Sequence, residues 1–208
     1  SHVDPDPVSA SRSASWACIL GRSRRWRRGY RRCVVSEWLL VVDVDGTLLG
    51  DDDALVQLVD RVRRSGIGLV LNSSRPVASV RASLDVDRLG ARATVGALGT
   101  QVCWRRRTDT AWAMGFDDFP RRTVSNILRR FGPPHPEPLQ APAKVSHRVA
   151  RADWMAARHA LARLHGQVRV LTSGETNVDV IPRTAGKTAA TRYVAARCGV
   201  AWSNVVTA

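Results

Sequence analysis

Lysine is almost absent from this chain. Lys144 and Lys187 are its only two, although the formal net charge is +14 and the rest of that positive charge is arginine. Such a bias, alongside abundant Ala, Val and Gly, follows from GC-rich coding as readily as from polyanion binding, so net charge does not assign a partner. Cysteine is scarce and unpatterned. Cys18, Cys33, Cys103 and Cys198 show no C-x-x-C spacing and no neighbouring pair of histidines. That argues against a zinc site or a disulfide framework and suits free thiols in a reducing, cytoplasmic setting. Long apolar runs are missing too: none approaches the ~18 residues that a membrane-spanning helix needs, so no membrane association is expected. With 208 residues and 44% hydrophobic content, the chain suits one globular domain or a domain carrying an insertion.

Residues 1–37 do not read as folded protein. Asp4-Pro5-Asp6-Pro7 is followed by a Ser/Ala/Arg stretch in which arginines crowd around Trp26 and Tyr30, eight of them against three acids. One reading is an arm for nucleic acid or an anionic surface. Ser23-Arg24-Arg25-Trp26 also starts like a twin-arginine export signal, but the apolar segment that should follow is broken by Glu37 and Asp43. The composition favours a disordered tail, and nucleic acid is not expected as a partner.

Leu39 to Leu48, LLVVDVDGTL, organises the remainder. Four branched apolar residues read as a buried parallel strand. Ligands of open α/β sheets sit beyond the carboxyl ends of such strands, and this end carries Asp43 and Asp45, two residues apart. Paired carboxylates there suit phosphoryl transfer, one attacking as a nucleophile and the other handling protons. A Mg²⁺ between them would relieve repulsion between carboxylate and phosphate. Gly46 permits a sharp exit.

A helix is predicted over Asp51–Ser65 from Leu55, Leu58, Val59 and Val62. A second strand, Ile67–Leu71, ends in Asn72-Ser73-Ser74-Arg75-Pro76 and delivers Ser73 to the same edge as Asp43. Val77–Leu84 reads as a helix and Thr94–Thr100 as a third strand with its exit loop, followed by Gln101. From about residue 104 to 182 the rhythm changes. A surface hairpin around Arg105–Arg107 is expected, then a helix over Phe119–Phe131, a strand over Lys144–Val149, a helix over Asp153–His165 opened by an acidic cap, and strands at Val168–Ser173 and Thr176–Ile181. Such an α+β insertion would cover the strand tips as a lid. Lys187 precedes a helix over Thr188–Cys198, a position where the helix dipole disfavours a cation unless an anion sits in front. Asn204–Ala208 is a further core strand.

The string at Asp43–Leu48 resembles the first motif of the haloacid dehalogenase-like (HAD) phosphohydrolases. That resemblance implies Asp43 as nucleophile and Asp45 as acid/base. Ser73-Ser74-Arg75 resembles the second motif, with Ser74 replacing the usual Gly, and Lys187 resembles the third, where a lysine neutralises phosphate and nucleophile. Gly99-Thr100-Gln101, Gln140 with Lys144-Val145-Ser146, and Ser173-Gly174 with Asn177–Pro182 resemble segments of the sucrose-phosphate phosphatases within that superfamily. Sugar contacts are thereby implied for Lys144, Asp179 and Gln140, with Arg75 and Gln101 at further substrate positions. Gln101 and Asn177 stand where that family has acids. The implied fold is a Rossmann-like parallel core, residues 38–103 and 183–208, with a cap domain over 104–182. The implied activity is Mg²⁺-dependent hydrolysis of a sucrose 6-phosphate-like sugar phosphate through an aspartyl phosphate on Asp43, with Mg²⁺ held by Asp43 and Asp45. Mannosylfructose phosphate and a glycosyl phosphoglycerate are alternative substrates, and sugar binding without catalysis is another reading. In the family the last strand here leads into an acidic Gly-Asp-x-x-Asn-Asp loop that holds the metal. None follows Ala208, so a truncated member with a missing last core strand and little or no activity is expected.

Overall fold

The computed structural model describes residues 36–208. The expected arginine-rich tail lies outside the described residues, apart from its last two positions. Those two do not belong to a tail. Ser36 is buried, and its hydroxyl donates to the carbonyls of Trp38 and Gly66 at 2.7 and 2.8 Å.

Among the described residues, nine strands form two sheets. The larger contains β1 (Leu39–Asp43), β2 (Gly68–Asn72), β3 (Ala93–Gly96), β4 (Gln101–Trp104), β5 (Arg107–Thr108) and β9 (Val205–Thr207), in the order β5-β4-β3-β2-β1-β9. β9, β1, β2 and β3 run parallel, β4 is antiparallel to β3, and β5 is antiparallel to β4. Strand alternation divides the apolar residues between the faces. Leu39, Val41 and Val70 pack with Val194 and Ala195 on one side. Val42, Leu69 and Leu71 pack with Val59, Val62 and Val80 on the other.

Helices form close to where the sequence places them at Asp51–Ser65, Val77–Leu84 and Thr188–Cys198, and two short ones form that it does not suggest, Val86–Leu89 and Thr110–Met114. α1 (Asp52–Ser65) starts on Asp51, whose side chain accepts from the Ala54 N–H, and stops at Gly66 in the left-handed region. α2 (Val77–Ser83) and α3 (Val86–Leu89) share its side of the sheet, while α4 (Thr110–Met114) and α7 (Lys187–Cys198) bring Trp112 and Val194 to the other.

The residues between α4 and α7 form the expected α+β insertion. A three-stranded antiparallel sheet, β6 (Val145–Arg148), β8 (Asn177–Pro182) and β7 (Val168–Ser173), is backed by α5 (Arg121–Leu128) and α6 (Trp154–Ala160). Two expectations need correction here. The hairpin around Arg105–Arg107 is part of the core sheet, because Trp104 pairs with Arg107 and Cys103 with Thr108. Asp109 locks it there, accepting from Trp104 Nε1 at 2.7 Å and from the Tyr193 hydroxyl of α7 at 2.8 Å. The insertion therefore starts later than residue 104. The helix expected over Asp153–His165 is regular only over Trp154–Ala160, with single 3₁₀ turns on either side, and Asp153 makes no side-chain cap.

Candidate active site

At its carboxyl end β1 breaks into one tight turn, Val44–Leu48, closed by the Leu49 N–H on the Val44 carbonyl at 3.3 Å. Gly46 has φ +76°, which an L side chain adopts only at a cost, so glycine is needed to reverse the chain here. The turn separates the two acids. Asp43 stays on the strand tip, while Asp45 leans toward the loop after β2.

Two groups of side chains result. In the first, Lys187 Nζ donates to Asp43 Oδ1 at 2.7 Å, and the Val44 N–H reaches the same oxygen at 3.1 Å. In the second, Ser73 donates its hydroxyl to Asp45 Oδ2 at 3.2 Å. Arg75 binds Asp45 through Nε and Nη2 at 3.2 and 3.1 Å. The Arg75 N–H in turn donates to Ser73 Oγ at 3.0 Å. Asp43, Asp45, Ser73, Arg75 and Lys187 thus meet at one sheet edge. A cavity of about 360 Å³ opens there between α7 and β9, lined in part by Asp43, Asn72, Lys187 and Trp202.

Lys187 is positioned by backbone packing. Gly99, φ +89°, lies against the peptide joining Gly186 to Lys187, where a Cβ would stand 2.2 Å from the Gly186 carbonyl oxygen. Trp112 Nε1 holds the Gly99 carbonyl at 3.0 Å. The first residue of α7 is therefore seated directly on the loop after β3.

The insertion meets the core at one of the two motif loops. Lys144 Nζ donates to the Ser74 carbonyl at 3.0 Å and pairs with Asp179 Oδ1 at 3.2 Å, both side chains 6% exposed. Asp179 also accepts from the Ser146 hydroxyl and from Asn177 Nδ2. Lys144 and Asp179 are thus brought together, in a buried network. Asn177, being neutral, donates to Asp179 and does not repel it.

Two expected substrate residues are occupied otherwise. Gln101 Oε1 accepts the Val77 N–H at 2.9 Å and serves the start of α2. Gln140 is spent on backbone: it donates to the carbonyls of His135 and Ser146 and accepts the Ser146 N–H. Arg75 binds the second acid. Residues that sequence reasoning passed over are Asn72 and Thr191, polar side chains buried among apolar neighbours and hydrogen-bonded to each other. Their signal was only a polar residue inside an apolar pattern.

Oxygen is the donor type available to a cation. The contacts that Lys187 Nζ and the Val44 N–H make with the Asp43 carboxylate both fall on Oδ1. No group of three or more His, Cys, Asp or Glu that could hold a metal occurs among the described residues. One or two carboxylates completed by water and phosphate oxygen suit Mg²⁺, a hard ion that keeps much of its hydration.

A parallel α/β core whose strand tips gather two aspartates, a serine hydroxyl and a helix-borne lysine, with an α+β insertion above, defines a haloacid dehalogenase-like phosphohydrolase. The chain belongs to the sucrose-6F-phosphate phosphohydrolase family, whose model matches residues 36–208, and so to the phosphoric monoester hydrolases that act on sugar phosphates. Among solved structures, the sucrose-phosphatase from Synechocystis sp. PCC6803, determined with sucrose and phosphate, superposes with a TM-score of 0.73. It is 23% identical, over 82% of this chain and 74% of that one. A haloacid dehalogenase-like hydrolase from Bacteroides thetaiotaomicron gives 0.63 at 15% identity, covering 83% and 81%. The HAD subclass IIB sugar phosphatase BT4131 gives 0.65 at 11%, covering 82% and 79%. No curated protein matches the sequence.

Proposed function

We propose that the protein is a Mg²⁺-dependent phosphatase for a phosphorylated disaccharide of the sucrose 6-phosphate type, working through an aspartyl phosphate on Asp43. The 2.7 Å contact between Lys187 and Asp43 carries the reading. It pairs a carboxylate at a strand tip with a cation on a helix start, the arrangement an incoming phosphate dianion requires. The sucrose and phosphate named for the Synechocystis structure support the substrate class.

In the reaction, Asp43 Oδ2 attacks phosphorus. The bond to the sugar oxygen breaks, and Asp45 supplies the proton that oxygen needs. Water then attacks the aspartyl phosphate, Asp45 takes its proton, and inorganic phosphate leaves with Asp43 restored. Lys187 offsets the charge of Asp43 and of the phosphoryl oxygens throughout. Asp45 must exchange Arg75 for the leaving oxygen to act. Mg²⁺, held by Asp43 and the Asp45 carbonyl, would supply charge neutralisation when bound. The insertion acts as a cap: Lys144, paired with Asp179, ties it to the Ser74 carbonyl in the loop that also carries Ser73 and Arg75.

Phosphate release from sucrose 6-phosphate with Mg²⁺ tests the proposal, with mannosylfructose phosphate and a glycosyl phosphoglycerate in parallel. Asp43→Asn is the dead control. Fastest turnover on sucrose 6-phosphate, lost in Asp43→Asn, is expected. Equal turnover in the variant would remove Asp43 as nucleophile, and preference for another ester would reassign the substrate.

A further inference from the structure

Four residues close a ring behind the attacking carboxylate. Asp43 and Asn72 are register neighbours at the tips of β1 and β2, and strand alternation turns both toward α7. Lys187 reaches back from α7 to Asp43 at 2.7 Å. One turn further on, Thr191 donates its hydroxyl to the Lys187 carbonyl at 2.8 Å, and Asn72 Nδ2 donates to Thr191 Oγ1 at 3.2 Å. Threonine has a single hydroxyl proton. With that proton on the Lys187 carbonyl, Thr191 can only accept from Asn72, which fixes which end of the amide faces it.

The ring is costly as packing. Asn72 and Thr191 are 6% and 3% exposed, and Asn72 Oδ1 has no partner among the described residues. A buried, unmatched carbonyl oxygen costs more than a typical hydrogen bond returns. Back-bonding by threonine within a helix is itself slightly unfavourable. An apolar pair would serve the core better, as Val70 and Val194 do nearby. Local departures of this kind gather where function requires them.

We infer that Asn72 and Thr191 are positioning residues for Lys187. They tie the first turn of α7 to the tip of β2, and so set the ammonium at its distance from Asp43. Gly99 supports the peptide on the N-terminal side of Lys187, and Thr191 holds its carbonyl. The inference rests on the proposed reaction for its role in turnover, but the tether itself is a matter of geometry.

The scarcity of lysine supplies a direct test. Uniform ¹⁵N-lysine labelling gives just two side-chain Nζ signals, and the spectrum of Lys144→Arg assigns the one from Lys187. Three variants are compared in the full chain: Thr191→Val, which keeps the shape and loses the hydroxyl, Thr191→Ser, which keeps the hydroxyl, and Asn72→Leu. Thr191→Val and Asn72→Leu are expected to broaden or shift the Lys187 signal and to lower kcat on sucrose 6-phosphate about tenfold with little change in KM. Thr191→Ser is expected to hold the wild-type signal and stay within about threefold of wild-type kcat. A wild-type Lys187 signal in Thr191→Val overturns the inference, whatever its turnover. Absence of turnover in the wild-type chain would count against the proposed function, while the two lysine signals would still decide the tether.

Discussion

Arg75 binds Asp45 through both carboxylate oxygens, Nε to Oδ2 at 3.2 Å and Nη2 to Oδ1 at 3.1 Å. Nε donates a hydrogen bond, whereas the Nη2 contact is an ion pair alone, and together they orient the second acid at rest. The pair is partly exposed, 21% and 43%, so it adds little to stability. Arg75→Lys should therefore separate orientation from stability. A single ammonium cannot hold both oxygens, and kcat is expected to fall about tenfold while the melting temperature moves by less than about 2 °C. Steady-state kinetics with a thermal melt check this. An unchanged kcat would mean Asp45 needs no such guide.

Gly99 and Gly46 both have positive φ, but their surroundings differ. A Cβ at Gly99 meets the backbone of Gly186 and Lys187, whereas at Gly46 nothing lies within 4 Å. Gly46→Ala should cost about 1 kcal/mol from backbone strain alone. Gly99→Ala should cost about 2–4 kcal/mol and weaken inorganic phosphate binding, because Lys187 must move. Denaturant midpoints and phosphate titrations compare the two. Equal costs would refute the steric argument.

Lys144 and Asp179 form a buried pair that also reaches the Ser74 carbonyl. Removing either partner strands a buried charge, so Lys144→Met alone should cost about 3 kcal/mol. The Lys144→Met/Asp179→Asn double variant should recover about 1–2 kcal/mol of that, since the stranded carboxylate is gone. A double-mutant cycle by chemical denaturation reads the coupling. Strict additivity would show that the two side chains do not act as a pair.

Burial holds the His147 imidazole below its ordinary value of 6.5, with Arg129 and His135 adding to the effect and the Gly132 carbonyl opposing it. Its Nδ1 lies 2.9 Å from that carbonyl, and Nε2 is buried without a partner among the described residues. The unfolded chain takes up the proton first as pH falls. Stability from the neutral ring is thus complete above pH 6.5 and declines as pH drops below it. Melting temperature should fall between about pH 7 and pH 5, and His147→Gln should flatten the slope. An identical slope in the variant would transfer the effect to other groups.

The core and the meeting of Asp43, Asp45, Ser73 and Lys187 at one sheet edge were legible because their residues are constrained twice. Leu39–Asp43 must be an apolar strand and must end in acids, and Lys187 must sit where a helix start ordinarily excludes it. Gln101 and Gln140 carried no such double constraint. An amide serves a ligand or a neighbouring backbone equally well, and here it serves Val77 and Ser146. The Arg105–Arg107 run hid a pair of core strands because only two residues of β5 pair, and both are exposed. Asp153 resembled a helix cap, yet the 3₁₀ turn before it holds its backbone in the helical region, where its carboxylate cannot reach the following N–H groups. Asn72 and Thr191 were hidden for a different reason. Their meaning lies in a contact between residues 119 positions apart.

The Asp43 N–H donates to the Ala208 carbonyl at 2.9 Å, and the Ala208 N–H returns a bond to Val41. The backbone that carries the Asp43 carboxylate is consequently moored by β9, a strand whose Val206 is 48% exposed. Loosening of β9 would unfasten the peptide of Asp43 before the hydrophobic interior was disturbed, making the Lys187–Asp43 contact a sensitive gauge of that strand's integrity.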